Sequence, residues 1–343
     1  MTADLPLPPH LTGARRLQVA DSHTCGQPTR VVLTGHGIAP GTAPRDGQAQ
    51  LRDHADWLRR VVVTEPRGHR SMFGVVPIAP LTPGGDWGLV FMDAATYPDM
   101  CGHATIGTAT TLIELGLIPL PHPGFSGQMP LTFATPAGPV ALRVTVEGGR
   151  CSAVTFTFEG ARHDRSLMLD LPGIGPVPVD IAFAGQWYAY LPVSASGLRV
   201  EAAAIGGLIH AAEDVRRRLA DHLSRLDPAA PKVGNIVWID SPRHPQAHHR
   251  NVPVSAAGSF DRSPCGTATC ARMATLVAKG HLTPDAPFVN EGLLGTLYHG
   301  RAEAFSDDKG PAIRAHVQGS AWLTALSTLI VDPADPLGEG YLA

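Results

Sequence analysis

A sixteen-residue phrase occurs twice in this chain, and this repeat constrains the fold more than any other feature. Residues 101–116 read CGHATIGTATTLIELG and residues 265–280 read CGTATCARMATLVAKG, with identical residues at seven positions. Both copies are rich in the helix formers Ala, Leu and Met, and both close on glycine, which favours a helix C-terminus. The repeat predicts two equivalent helices, each beginning at a cysteine, in two related halves of the chain.

Cys101 and Cys265 are the candidate catalytic residues, because both lie at the predicted helix starts. Asp99 and Ser263 stand two residues before them as predicted N-caps, and Pro264 fits a first helical position. Each thiol would then lie in a first turn, where free N–H groups and the helix dipole lower a cysteine pKa to roughly 3.5–7.5. The alternative is that each is a small buried core residue, which cysteine often is.

The residues beside the two cysteines are predicted to bind a small carboxylate. The N–H groups of Gly102–His103 and Gly266–Thr267 belong to first turns, which lack intrahelical partners and bind anions. Asp261 has Tyr97 at the corresponding position of the first copy, so it suits an asymmetric role such as holding a substrate ammonium. The alternatives are structural: a core or capping histidine at position 103 and a turn-forming acid at position 261.

Composition bounds the class of protein. With 343 residues the chain is predicted to form two domains, its net charge of −3 argues against a nucleic-acid partner, and the absence of a long apolar run argues against a membrane span. The proline-rich residues 1–13 do not resemble a signal peptide, so we expect a loose tail on a cytoplasmic protein. Five cysteines fit free thiols better than a disulfide framework.

We expect neither a metal nor an organic cofactor. Cys101-x-His103 and Cys265-x4-Cys270 match no usual zinc spacing, and none of the three lysines lies in a convincing pyridoxal phosphate motif. A redox protein with a reversible Cys101–Cys265 bond is a rival hypothesis, although such proteins more often carry C-x-x-C. A non-catalytic binder of small carboxylates is a second rival, and it would not need both thiols.

The predicted elements are many short strands and few helices, in an order that repeats. Strands are predicted at 17–35 with an internal loop, at the end of 57–64, at 88–93, 131–147, 152–159, 179–192 and 235–240, and as a meander over 292–331. Residues 201–226 predict a helix with a charged face. This order differs from the regular alternation of a doubly wound α/β sheet.

Six phrases, spread along nearly the whole chain, resemble the proline racemase family within the diaminopimelate epimerase-like fold. They are DSHTCGQPTRVV at 21–32, EPRGHRSMFG at 65–74, VFMDAATYPDMCGHATIG at 90–107, VDIAFAGQWYA at 179–189, DRSPCGTATCARMA at 261–274 and GSAWLT at 319–324. The resemblance implies an α/β (α+β) fold of two pseudo-symmetric domains, each a β-barrel-like sheet wrapped around a central helix. We expect the first domain at residues 1–140 plus 320–343 and the second at 141–319, with the site between them.

The resemblance also implies an amino-acid racemase or epimerase that needs no cofactor. Cys101 and Cys265 would move the α-proton of an imino acid, its carboxylate would lie on the first turns of both helices, and His103 and Asp261 would hold its ring nitrogen. Relatives that dehydrate trans-3-hydroxyproline typically carry Thr in place of the second cysteine, so we favour dehydration less. The sequence leaves the oligomeric state open, a homodimer included.

The predicted ring pocket bears on the substrate. Proline racemases resembling this chain have three phenylalanines around the ring; Phe73 and Phe91 match two of them, and Ser255 occupies the third position. Because a buried hydroxyl needs a partner, Ser255 favours trans-4-hydroxy-L-proline, giving cis-4-hydroxy-D-proline. Proline is the alternative substrate, which the two phenylalanines favour. Gln27 stands where glutamate is common in the family, and the sequence assigns no role to this change.

Overall fold

A computed structural model describes residues 8–82 and 84–342, and these residues form a mixed α+β fold around one large sheet. The helices are α1 (Pro44–His54), α2 (Trp57–Val63), α3 (Gly102–Glu114), α4 (Ile205–Leu226) and α5 (Gly266–Ala278). The strands are β1 (Arg15–Thr24), β2 (Gln27–Thr34), β3 (Gly74–Ile78), β4 (Trp87–Met92), β5 (Gly127–Thr135), β6 (Gly138–Glu147), β7 (Arg150–Leu171), β8 (Gly175–Ala184), β9 (Gln186–Pro192), β10 (Asn235–Asp240), β11 (His249–Val254), β12 (Pro287–Glu291), β13 (Leu297–Asp307), β14 (Gly310–Gly319) and β15 (Ala321–Val331).

The N-terminal tail that we predicted at residues 1–13 is described only from residue 8 onward. Residues 1–7 lie outside the described part of the chain, and Pro9–Leu11 form a short 3-10 helix. Within the described residues, no helix combines the length and the apolar character needed to cross a membrane.

The sheet contains the same run of strands twice. From β1 to β5, successive neighbours pair antiparallel, parallel, antiparallel and parallel. The strands from β8 to β12 repeat this pattern in the same order. α3 lies between the last two strands of the first run, and α5 lies between the last two strands of the second. The repeated phrase therefore marks a repeated unit of structure, and the predicted fold class is confirmed.

The long strand β7 connects the two runs. Its residues 150–156 pair with β6, residues 154–161 pair with β14, and residues 162–171 pair with β8. The last strand, β15, returns to pair with β1 over its whole length. The division into domains at 1–140 plus 320–343 and at 141–319 stays a prediction.

α3 and α5 are the buried centres of the two runs, and glycine brings their N-terminal ends together. Nearly every residue of both helices is buried. A Cβ atom added to Gly102 would lie 2.9 Å from the Phe156 ring and 3.2 Å from the Cα of Gly266, and the reciprocal distances are 2.8 and 3.2 Å. A side chain at either position would therefore crowd both the Phe156 ring and the facing helix end, so glycine allows the two ends to lie this close.

Most predicted strands are confirmed, but the strand at the end of 57–64 was wrong. These residues form α2. The β-branched run Val61-Val62-Val63 suggested a strand, yet Leu58 and the valines are fully buried at helical spacing. Packing of this stripe against the sheet overrides the local strand propensity. The sequence reasoning also missed α1, a mostly polar helix in which only a few residues are buried.

Candidate active site

Cys101 and Cys265 are themselves the N-cap residues of α3 and α5, so each helix begins two residues later than predicted. Thr105 N–H donates to the Cys101 carbonyl at 3.0 Å and Thr269 N–H donates to the Cys265 carbonyl at 2.9 Å, so each helical ladder starts at the cysteine. Both thiols therefore lie at the N-terminus of a helix, beside its first-turn N–H groups.

The predicted caps Asp99 and Ser263 do not cap the helices. Asp99 Oδ1 accepts a hydrogen bond from Gln48 Nε2 at 3.0 Å, and Ser263 Oγ accepts one from the Cys265 N–H at 3.1 Å. This prediction was wrong, because each helix begins two residues later than a cap at these positions requires.

The thiol of Cys101 contacts a histidine, whereas the thiol of Cys265 lies near a threonine. Cys101 Sγ is 3.2 Å from His103 Nδ1. Cys265 Sγ is 4.0 Å from Thr267 Oγ1, which in turn lies 2.6 Å from the Tyr188 hydroxyl. The two halves thus place different polar groups at equivalent positions.

The carboxylate of Asp261 reaches from the second half towards His103 of the first. Asp261 Oδ1 accepts a hydrogen bond from the Ser263 N–H at 2.8 Å, which orients the side chain. Asp261 Oδ2 lies 3.8 Å from His103 Nδ1, and both side chains are largely buried. The Asp261 carboxyl group and the His103 imidazole therefore face the same space beside Cys101.

Burial raises the pKa of both thiols, contrary to the expected lowering. The N–H groups of Ala104 and Ala268 favour the thiolates, but desolvation outweighs them and the nearby charge of Asp261 opposes them. Burial also lowers the pKa of His103, so this ring is neutral at pH 7. In this buried setting the helix ends therefore do not lower the pKa of either thiol below its ordinary value.

A single pocket brings most of the predicted site residues together. Its lining includes Cys101, His103, Phe73, Ser255, Asp261, Cys265 and Thr267. Gly102 and Gly266 lie one residue further along their helices, with their Cα atoms facing each other. Phe91 is fully buried behind Phe73, at 6.3 Å between ring centroids, and does not line the pocket.

The sequence reasoning missed several residues of the pocket wall. Tyr188 and Phe260 line it, as do Ser259 and Gln27. The oxygens of Ser255 and Ser259 lie 2.6 Å apart and share a hydrogen bond. A signal existed for Tyr188, which stands within the phrase VDIAFAGQWYA, and for Phe260, which directly precedes Asp261.

The donor set of the pocket suits proton transfer. The two thiols at the helix starts, the imidazole of His103 and the carboxylates of Asp93 and Asp261 line the same space. Among residues 8–82 and 84–342, no group of three or more His, Cys, Asp or Glu side chains is arranged to hold a metal ion. Thiol and imidazole groups can each take up and release a proton, so the arrangement supports acid–base chemistry on a small bound anion.

The family model described as proline racemase matches residues 19–342. The chain belongs to the proline racemase family. A proline racemase of Clostridioides difficile is 36% identical over 334 residues, covering 96% of this chain and 98% of the relative. A 4-hydroxyproline epimerase of Brucella ovis is 36% identical over 326 residues, covering 94% and 96%.

The crystal structure of a hydroxyproline epimerase from Agrobacterium vitis, with bound trans-4-hydroxy-L-proline, has the same fold. Its TM-score is 0.82 at 24% identity, with 96% of this chain and 95% of that chain covered. The predicted family and the predicted enzyme class, an amino-acid racemase or epimerase, are confirmed.

Proposed function

We propose that this enzyme inverts the α-carbon of trans-4-hydroxy-L-proline to give cis-4-hydroxy-D-proline, with Cys101 and Cys265 as the two proton-transfer groups and with no cofactor. The observation that carries the proposal is the matched pair of N-cap cysteines, one on each of two buried helices whose ends meet at one pocket. Relatives that cover nearly the whole chain are named for proline and for 4-hydroxyproline.

Two thiols suffice for the inversion. A thiolate on one face takes the α-proton, so that the C–H bond breaks and an S–H bond forms. The thiol on the other face gives its proton to the carbanionic carbon, so that an S–H bond breaks and a C–H bond forms. The raised pKa of each cysteine makes its thiolate a stronger base for a weakly acidic α-proton. The thiols exchange roles at each turnover.

The other groups of the pocket would hold the substrate. The carboxylate becomes more electron-rich as the α-proton leaves, and first-turn N–H groups of α3 and α5 would stabilise that charge in a largely water-free site. Asp261 and the neutral His103, 3.8 Å apart, would each accept a hydrogen bond from one N–H group of the ring ammonium.

The choice of hydroxyproline depends on the hydroxyl pair of Ser255 and Ser259. Both side chains line the pocket, and a ring hydroxyl can extend their hydrogen bond. A site built to bind a substrate hydroxyl discriminates against the analogue that lacks it, since its own polar groups are then left unpaired. Proline is the second candidate, and the aromatic lining by Phe73 and Phe260 favours it.

Incubation in deuterium oxide with L-proline, trans-4-hydroxy-L-proline and trans-3-hydroxy-L-proline, followed by NMR, tests the proposal. We expect α-deuteration with inversion, fastest for the 4-hydroxy compound. A carboxylate binder or a thiol redox protein would leave the α-proton in place, and a dehydratase would consume the 3-hydroxy compound instead. Faster inversion of L-proline would transfer the assignment to the second candidate.

A further inference from the structure

The side chain of Gln27 joins a segment of the first run of strands to a segment of the second. Gln27 Nε2 donates to the Ser71 carbonyl at 3.0 Å, and its Oε1 accepts from the Arg262 N–H, also at 3.0 Å. Gln27 is 4% exposed and lines the pocket. One amide group therefore donates to the segment around Ser71 and accepts from the segment around Arg262.

A tight turn fixes the position of Gln27. Thr24 pairs with Gln27 across the two-residue turn between β1 and β2, where Cys25 has φ 50° and Gly26 has φ 100°. Positive φ at both positions is typical of a type I′ hairpin turn. A Cβ atom on Gly26 would lie 2.6 Å from Leu294 Cδ1, so the turn packs closely against the second half.

The two segments that Gln27 joins carry the residues around the substrate nitrogen. Ser71 stands two residues before Phe73, whose ring meets the His103 ring edge to face at 4.9 Å. Arg262 directly follows Asp261, whose carboxylate faces the same histidine. Fixing the distance between the two segments therefore fixes the Phe73 ring and the Asp261 carboxylate on the two sides of the imidazole.

Other hydrogen bonds between these segments are longer. Arg70 Nη1 donates to the Ala257 carbonyl at 3.4 Å, and the Phe260 N–H donates to Ser71 Oγ at 3.5 Å. Both distances exceed the usual 2.7–3.2 Å of an N–H···O bond, whereas both bonds of Gln27 lie within it. The amide makes the better-formed cross-links at this junction.

We propose that Gln27 is a positioning residue for the isomerisation, which sets the separation of segments 71–73 and 261–263 so that His103 and Asp261 meet at the substrate nitrogen. The inference rests on the proposed function. An amide can donate to one carbonyl and accept from one N–H at the same time, and so can a protonated carboxyl group. A carboxylate accepts only, so it would leave the Ser71 carbonyl without its donor.

Gln27→Glu gives the sharpest test, because the introduced carboxyl can replace the amide only while it is protonated. Glutamate is common at this position in the family, so the test asks whether the Ser71 carbonyl and the Arg262 N–H of this chain require an amide. If they do, the ratio of the variant's kcat/KM to that of the wild type should fall about tenfold or more as pH rises from about 5 to about 8. The charged and titratable groups nearby, Asp261, Arg262, Arg70, His69 and His103, are the same in both proteins, so the ratio isolates the new carboxyl. Gln128→Glu, on the exposed strand β5, is the matched control and should give a flat ratio.

Gln27→Met removes both hydrogen bonds at similar volume and adds no titratable group. It should lower kcat/KM about tenfold or more at every pH, with kcat falling more than KM rises, because the site is misaligned rather than emptied. A ratio for Gln27→Glu that stays flat or rises with pH would overturn the proposal, as would wild-type kcat/KM in Gln27→Met.

The thermal unfolding midpoint supplies a readout that does not need activity. The Ser71 carbonyl and Asp261 favour the protonated form of the introduced carboxyl, so its pKa should be higher in the folded state than in the unfolded state. Stability is then fully present below the unfolded pKa and is lost as pH rises through the folded pKa. The unfolding midpoint of Gln27→Glu, relative to that of Gln128→Glu, should therefore fall with rising pH. A constant difference between the two midpoints would contradict the bridging role of Gln27. If the wild type were inactive while the midpoint of Gln27→Glu still fell with rising pH, the proposed function would be refuted and the bridging role of Gln27 would remain supported.

Discussion

The two cysteine half-sites share one arrangement of strands and helix, but they differ in the φ angle of the cysteine and in the group beside its thiol. Cys101 has an ordinary extended backbone with φ −146° and contacts His103, whereas Cys265 has φ 63° and lies near Thr267. In the proposed reaction a proton is handled in the same way on either face of the carbon, which fits the matching thiols. The proposed substrate has one ring nitrogen and one set of ring substituents, which fits the different groups beside them.

The largest effect should follow removal of either thiol. Cys101→Ala and Cys265→Ala should each reduce inversion by about a thousandfold or more, because each thiol serves one face of the α-carbon. Steady-state epimerisation followed by polarimetry measures the loss, with Cys151→Ala, a buried thiol of β7, as the control. If either active-site variant kept a tenth of wild-type inversion, the halves would not be equivalent partners.

Ser255 distinguishes the two halves at the substrate ring, since the hydroxyl lining comes from the second half and Phe73 from the first. Ser255→Phe should lower kcat/KM for trans-4-hydroxy-L-proline roughly ten- to hundredfold while sparing or raising it for L-proline. Both substrates are measured on the same protein, so misfolding would reduce both values together. An equal loss for the two substrates would mean that Ser255 does not set specificity.

The pH dependence should be alike for the two halves. Burial raises the pKa of both thiols, so the thiolate fraction grows as pH rises beyond neutrality. Labelling by iodoacetamide should accelerate by up to about tenfold per pH unit between pH 7 and 9, since the thiolate is the nucleophile. Peptide mapping should find label on Cys101 or Cys265 before the buried Cys25, Cys151 and Cys270, and substrate should protect. Rapid labelling already complete at pH 6 would show that the thiols are acidic.

The smallest effect should be on stability, and it should follow from the different φ angles at positions 101 and 265. A positive φ costs L-residues roughly 1–2 kcal/mol and glycine little, so Cys265→Gly should be about 1 kcal/mol more stable than Cys265→Ala. At position 101, where φ is −146°, alanine should be the more stable by a similar amount. Urea unfolding of the four variants measures this. The same order at both positions would remove the backbone difference from the comparison.

The repeat made the pairing of Cys101 with Cys265 predictable, because a duplicated phrase implies duplicated structure, and the resemblance to the family supplied the fold class. Two features escaped prediction for physical reasons. The thiol pKa depends on burial at the junction of two helices, which one sequence window does not contain. The pocket residues Tyr188 and Gln27 contact partners that are 79 and 235 positions away in sequence. Spacing therefore gives no sign of them, and only the family phrases that contain them pointed towards the pocket.

If the two thiols act on opposite faces of one carbon, variants that keep a single thiol should differ in the isomer whose α-proton they exchange. Cys101→Ala and Cys265→Ala are each incubated in deuterium oxide with trans-4-hydroxy-L-proline and, separately, with cis-4-hydroxy-D-proline. Each variant should slowly exchange the α-proton of one isomer only, without inversion, and the two variants should select opposite isomers. Exchange of both isomers by one variant, or selection of the same isomer by both, would contradict the two-thiol account.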